Sequence, residues 1–135
     1  MENTHQSLIN TLNSSLFLEN AHMKIAKLER GISEITMDVQ NEMLNIDGFV
    51  NGGILFSLAD TAAGAASFTT GRQSVTLNGD IRFLRPALQG IITAKAKEIA
   101  LTHSTGTYQA DIYDEKGRLL ATSTFSMFFL NKESD

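Results

Sequence analysis

The sequence predicts an α+β domain in which one long buried helix lies against an antiparallel sheet. Three observations carry that expectation. Residues 53–68, "GILFSLADTAAGAASF", are apolar nearly all round a helix and hold a single charge, Asp60. On both sides of that stretch the apolar residues alternate with polar ones, the period of half-buried strands. The connections between the alternating runs are short and rich in turn residues, which favours antiparallel neighbours over crossovers.

The elements follow in order. Residues 3–19 place Leu8, Ile9, Leu12, Leu16 and Phe17 at helical spacing, so residues 1–20 are expected to form one amphipathic helix lying on the domain. Residues 23–39 switch to alternation, with Met23, Ile25 and Leu28, then Ile32, Ile35, Met37 and Val39, on either side of Arg30-Gly31. That pattern reads as two strands and a tight hairpin. Residues 41–51 read as a loop with Asp47-Gly48 as its turn. The central helix is expected over 51–69. It is apolar enough to be buried on most sides, and small enough in its second half for other backbone to approach. Strands follow in "SVTLNGDIRFL" (alternating Val75, Leu77, Ile81 and Phe83), "GIITAKAKEIALT", "TYQADIY" and "RLLATSTFSMFFL". Arg85-Pro86-Ala87 breaks the first of these, and "DEKG" turns the last hairpin. The tail "NKESD" is expected to fray. The count is about six strands in a single domain, 1–135.

Composition narrows the function. A chain of 135 residues, 42% hydrophobic, is one ordinary domain with a sizeable core. With no cysteine, thiol nucleophiles, disulfides and Cys-ligated zinc are excluded. A net charge of −4 argues against nucleic-acid binding. No apolar run approaches the ~20 residues of a membrane span, and the N-terminus lacks a basic region before an apolar core. A cytoplasmic protein is expected. No His/Asp/Glu group has metal spacing, so no metal is expected. His103 reads as a surface histidine, and Phe125, Met127, Phe128 and Phe129 as core, contact or pocket residues.

The words around Asp60 carry a resemblance. Asn45, Gly48, Asn51-Gly52-Gly53 and Leu58-Ala59-Asp60, followed by "SVTLNGDIRFLRPA" and "DEKGRLLATSTFSMFFL", resemble the hotdog fold. More narrowly they resemble the phenylacetic-acid-degradation-type (PaaI-like) acyl-CoA thioesterases over roughly residues 20–130. The family pattern has His-Gly-Gly where this chain has Asn51-Gly52-Gly53. Asn can donate and accept hydrogen bonds but cannot relay protons near neutral pH.

The resemblance implies that Asp60 is the catalytic carboxylate, as general base or as nucleophile. Apolar surroundings disfavour a charged carboxylate and so make it a better proton acceptor. It implies too that the Gly52 N–H polarises the thioester carbonyl, since the first turn of a helix has free donors and a favourable dipole. Asn45 would position the thioester or Asn51, and Asn51, in the place of the family's histidine, reads equally as a catalytic residue and as a helix cap. Gly53, Thr61, Thr76 and Asn78 are further substrate-side candidates. Thr76, Asn78 and Thr61 are the polar groups available to hold a water near Asp60. Arg82 and Arg85, with Lys95 and Lys97, are candidates for the phosphates of coenzyme A. The expected substrates are aryl- or medium-chain acyl-CoA, with no cofactor beyond the coenzyme A of the substrate.

A distance adds to this. Gly52 and Asp60 are eight residues apart, about 12 Å along a helix axis. Both must come within about 3–4 Å of one reacting carbonyl group. Two antiparallel copies of the helix meet that demand, so the chemistry predicts an obligate homodimer, and the family adds tetramers built from it. The alternative is a non-catalytic acyl-CoA-binding hotdog protein, a sensor or carrier. A hotdog dehydratase or hydratase ranks lower, because no histidine lies near the helix.

Overall fold

The computed structural model describes residues 2–130, the first four of these by backbone alone. The predicted frayed tail, 131–135, lies outside the described residues. Two short helices, α1 (Glu2–Asn13) and α2 (Leu16–Asn20), lead into β1 (Met23–Glu29) and β2 (Ile32–Asp38). A single 3₁₀ turn (Asn41–Met43) precedes α3 (Gly52–Phe68). Four strands follow: β3 (Ser74–Phe83), β4 (Ile91–Leu101), β5 (Thr105–Tyr113) and β6 (Leu119–Phe129). All six strands form one antiparallel sheet in the order β1-β2-β4-β5-β6-β3.

The inner face of the sheet holds α3. Leu58, Ala59, Ala62, Ala63 and Ala66 are fully buried against Ile35, Met37, Ala94, Tyr108, Ala110, Ile112 and Phe125. The alanines allow strands to approach closely enough for side chains to bond the helix backbone. Ser33 Oγ donates to the Ala62 carbonyl at 2.6 Å. The Gly31 N–H of the first hairpin donates to Thr69 Oγ1, just past the end of α3, at 2.7 Å.

Two expectations need correction. The N-terminal helix over 1–20 is two helices, not one. Ser14 Oγ turns back on the Thr11 carbonyl at 2.7 Å, and Ser15 is extended (φ −65°, ψ 131°). Local serine bonding of this kind competes with helix propagation. Beyond the break Leu16 and Phe17 face out and Leu18 is buried instead. In β3 the expected alternation of Val75 with Leu77, Ile81 and Phe83 fails, because a bulge interrupts the pairing with β6 between Thr76 and Asn78. Val75 pairs with Phe128 on the outer face, while Thr76 pairs with the buried Met127 and so faces α3.

The two edges of the sheet differ. At β1 the Asn13 side chain accepts the Ile25 N–H at 2.9 Å, and α1 and α2 pack beside the strand. At β3 ten residues lie open or half-open on both faces. No helix among the described residues is long and apolar enough to cross a membrane.

Candidate active site

The loop before α3 is built by its own polar groups. Asn45 Oδ1 accepts from the N–H groups of Asp47 (2.9 Å) and Phe49 (3.1 Å), an Asx-type turn. Gly48 occupies φ +85°, a region that favours glycine. The Asn51 N–H then donates to the Met43 carbonyl and the Val50 N–H to the Ala87 carbonyl, both at 2.8 Å. These bonds fix the point at which α3 starts and set the Arg85-Pro86-Ala87 segment beside it.

Asn51 is the N-cap, its side chain accepting the Gly53 N–H at 2.8 Å. The Gly53 amide is therefore occupied. The Gly52 N–H makes no hydrogen bond among the described residues. A Cβ at Gly52 would lie 3.2 Å from the end of the Phe83 ring, so glycine fits the close approach of β3 to the helix start. Gly52 opens into a depression of about 330 Å³ lined by Phe83, Leu84 and Arg85 among others.

Asp60 lies two turns further along α3 and opens into a different cavity, of about 530 Å³. It is only partly buried, so one chain alone does not enclose it in the apolar surroundings its neighbours in sequence suggest. Thr76 Oγ1 donates to Asp60 Oδ1 at 2.7 Å. Asp60 Oδ2 accepts no hydrogen bond, and the carboxylate has no ion pair, among the described residues. The cavity walls are mostly apolar, with Leu12, Leu18, Ile25, Phe68, Met127 and Leu130 among them.

The sequence candidates thus separate. Asp60, Thr61 and Thr76 share one cavity, although the Thr61 hydroxyl is turned back to the Ser57 carbonyl at 2.7 Å. Gly52 and Arg85 share the other, with Gly53 and Asn51 at the same helix start. Asn45 holds its own loop. Asn78 and Arg82 pair with Ser126 and Thr122, on the sheet face away from α3, and Lys95 is flanked by the buried Ala94 and Ala96. Lys97 shares that outer face with Lys95, so none of these four reaches the Asp60 cavity. His103 is exposed, and of the four late aromatic and Met residues only Phe128 faces outward. Sequence reasoning missed Phe83 and Gly64 as site-lining residues. Phe83 reads in sequence only as an alternating strand residue, and Gly64 only as part of the small second half of the helix.

An antiparallel sheet wrapped on one long helix, with a glycine helix start and a mid-helix acid, defines the hotdog class. The model of the Thioesterase superfamily matches residues 47–121, more than half of the chain and including Gly52, Asp60, Thr76 and Arg85. The chain belongs to that superfamily and, within it, to the PaaI-like hotdog thioesterases. The acyl-coenzyme A thioesterase PaaI of Escherichia coli is 36% identical over 98 residues, 72% of this chain and 70% of that one. The E. coli PaaI structure superposes with a TM-score of 0.88 at 28% identity, covering 93% of this chain and 92% of that one. An Archaeoglobus fulgidus putative esterase is 30% identical over 122 residues, 90% of this chain and 79% of that one. A Streptococcus pneumoniae hypothetical thioesterase solved with coenzyme A gives a TM-score of 0.79 at 30% identity, covering 84% and 91%. The protein is accordingly a thioester hydrolase.

Proposed function

We propose that the protein hydrolyses acyl-CoA thioesters with aryl- or medium-chain acyl groups, in a site completed by a second copy of the chain. The observation that carries this reading is Asp60: one oxygen is held by Thr76, and the group opens on an apolar cavity. In the reaction an oxygen adds to the thioester carbon, the C–S bond breaks, and coenzyme A leaves as its thiolate. Asp60 either takes a proton from the attacking water or itself attacks, with water then hydrolysing the acyl-enzyme. Thr76 fixes the carboxylate in either case. Negative charge building on the carbonyl oxygen is met by the Gly52 N–H of the partner subunit. The steps use water and protein groups alone.

The partner is needed because Gly52 and Asp60 open into separate depressions and stand about 12 Å apart along α3. The edge strand β3 is the natural place for it. Val75, Leu77, Phe83 and Leu84 are each about half exposed there, on an edge that pairs with no further strand among the described residues. Pairing of two β3 edges would set the two copies of α3 side by side. Dimers of such dimers are the proposed larger assembly. Arg85, beside Gly52, is the cation best placed for a phosphate of coenzyme A. The S. pneumoniae thioesterase supports the acid–hydroxyl pair: it has been solved as an aspartate-to-alanine and as a threonine-to-alanine variant. Those two positions are sixteen residues apart, the separation of Asp60 from Thr76.

Asn51 serves as a cap here, a role that needs no proton transfer. The test is turnover of a panel of acyl-CoA thioesters by the wild type and by Asp60→Asn. Turnover of aryl- or medium-chain substrates by the wild type alone is expected. Equal turnover by both would remove Asp60 from the mechanism. Tight acyl-CoA binding without turnover would favour a sensor or carrier on the same fold.

A further inference from the structure

The α3 residues lining the larger cavity are Asp60, Thr61, Gly64, Ala65 and Phe68. Their spacing (i, i+1, i+4, i+5, i+8) is one stripe along the helix. Asp60 stands at one end and Phe68 at the other. An acyl tail leaving a carbonyl at Asp60 and lying along the stripe passes position 64 after about 6 Å.

Position 64 is the one place on that stripe with no side chain. Glycine is among the least favoured residues in a helix interior. The usual steric reason for one is a neighbour too close to tolerate a methyl group. Within one chain that reason is absent, because a Cβ built on Gly64 meets no heavy atom within 4 Å apart from its own stretch of helix. The space above Gly64 is the cavity itself. Its volume of about 530 Å³ lies within the range of small-molecule pockets. An acetyl group would leave most of it empty. Leu12 and Leu18 from the N-terminal helices and Phe68 from α3 give a tail apolar wall, while Gln73 and Ser74 are polar residues of the same lining, the Ser74 hydroxyl being bonded to that of Ser67 at 2.7 Å.

We infer that Gly64 is a specificity-determining residue: its missing side chain leaves the channel along α3 open, so that the site takes apolar acyl groups longer than a few carbons. The inference rests on the reading of Asp60 as the reactive acid. A rival use of the same glycine is close packing of a second subunit on α3, and the two uses differ in what filling the space does. A side chain that intrudes on packing loosens the assembly and lowers activity on every substrate alike. A side chain that intrudes on the tail changes the ratio between long and short substrates and leaves the assembly intact.

The experiment compares wild type, Gly64→Ala, Gly64→Leu and Leu12→Ala. It reads kcat/KM on butyryl-CoA and octanoyl-CoA together with the mass in solution. Gly64→Leu is expected to lower the octanoyl-to-butyryl ratio by at least about tenfold, with Gly64→Ala moving it less in the same direction. Leu12→Ala, which widens the cavity from its α1 side, is expected to raise it. A second readout does not depend on turnover: the rise in Tm of each chain carrying Asp60→Asn with the same two ligands. A ligand-length preference in that rise that disappears in Gly64→Leu supports the inference even if the wild type hydrolyses neither thioester, an outcome that defeats only the proposed reaction. An unchanged ratio and unchanged Tm preference in Gly64→Leu overturns the inference and leaves the reaction standing. A uniform loss accompanied by a fall in mass overturns it in favour of subunit packing.

Discussion

Glu98 and Asp60 both lie on the helix side of the sheet, yet their surroundings differ. Glu98 Oε1 accepts from the Tyr108 hydroxyl at 3.0 Å and from Arg30 Nη1 at 2.9 Å. The buried Tyr108, the β1–β2 turn and β4 are thereby tied at one corner, where Gly31 also bonds to Thr69 beyond α3. Burial pushes the Tyr108 hydroxyl above its ordinary range, and its hydrogen bond to Glu98 adds to that. Among the described residues Asp60 has one hydroxyl donor and no cation, and it has a cavity beside it. A carboxylate whose partners are all supplied by its own chain fixes a fold. One left with an open coordination face, at the end of an apolar channel, is available for chemistry.

The largest effect should come from the open acid. Asp60→Asn keeps the size of the side chain and removes its charge, so kcat/KM on acyl-CoA should fall about 10²–10⁴-fold while Tm stays close to that of the wild type. Gly52→Pro comes next. Proline is tolerated at the first helical position and removes the N–H, and Asn51 already has an extended backbone (φ −58°, ψ 135°) suited to precede it. The proline Cβ presses on the Phe83 ring at 3.2 Å, so Gly52→Ala, which adds that Cβ and keeps the N–H, is the control. Loss of one such donor should lower kcat by about 10²–10³-fold with the helix intact by circular dichroism. Thr76→Ala should reduce kcat/KM about ten- to a hundredfold, the weight of a hydrogen bond to a charged group.

The closed cluster should behave in the opposite way. Glu98→Ala leaves the Tyr108 hydroxyl without its acceptor and should cost about 1–3 kcal/mol, read as a drop of several degrees in Tm. Its effect on kcat/KM should be a few-fold at most. The pH dependence is the subtlest difference. The folded state favours the protonated phenol, so this contribution to stability is complete below the ordinary tyrosine pKa of about 10. It is lost as pH rises through the raised value of the folded protein. Stability should therefore fall above about pH 10, and Tyr108→Phe should fall less steeply there in chemical denaturation.

What was legible in the sequence was what is local. Alternation on either side of Arg30-Gly31 and the apolar run after Gly53 depend on neighbours along the chain, and their boundaries agree with β1, β2 and α3 to a residue or two. Thr76 could not be chosen over Asn78, because the bulge that turns Thr76 toward Asp60 exists only in the pairing of β3 with β6. The break at Ser14-Ser15 was hidden for a related reason: Leu16 and Phe17 fit a helical stripe, and only the packing of Leu18 shows that the stripe has rotated. Lys95 and Lys97 alternate with alanines in sequence as a strand should. Which face meets the ligand is decided by where α3 lies. The separation of Gly52 from Asp60, by contrast, follows from helix rise alone and needed no tertiary information.

Mixing two inactive variants tests the shared site most directly. Asp60→Asn and Gly52→Pro, unfolded together and refolded at equal amounts, form mixed dimers in which one of the two sites pairs an intact Asp60 with an intact Gly52. Random pairing should restore about a quarter of the wild-type activity, because half of the dimers are mixed and each carries one good site of two. Activity no higher than the average of the two variants, in a sample shown to contain mixed dimers, would mean that Asp60 and Gly52 act within one chain or not together at all.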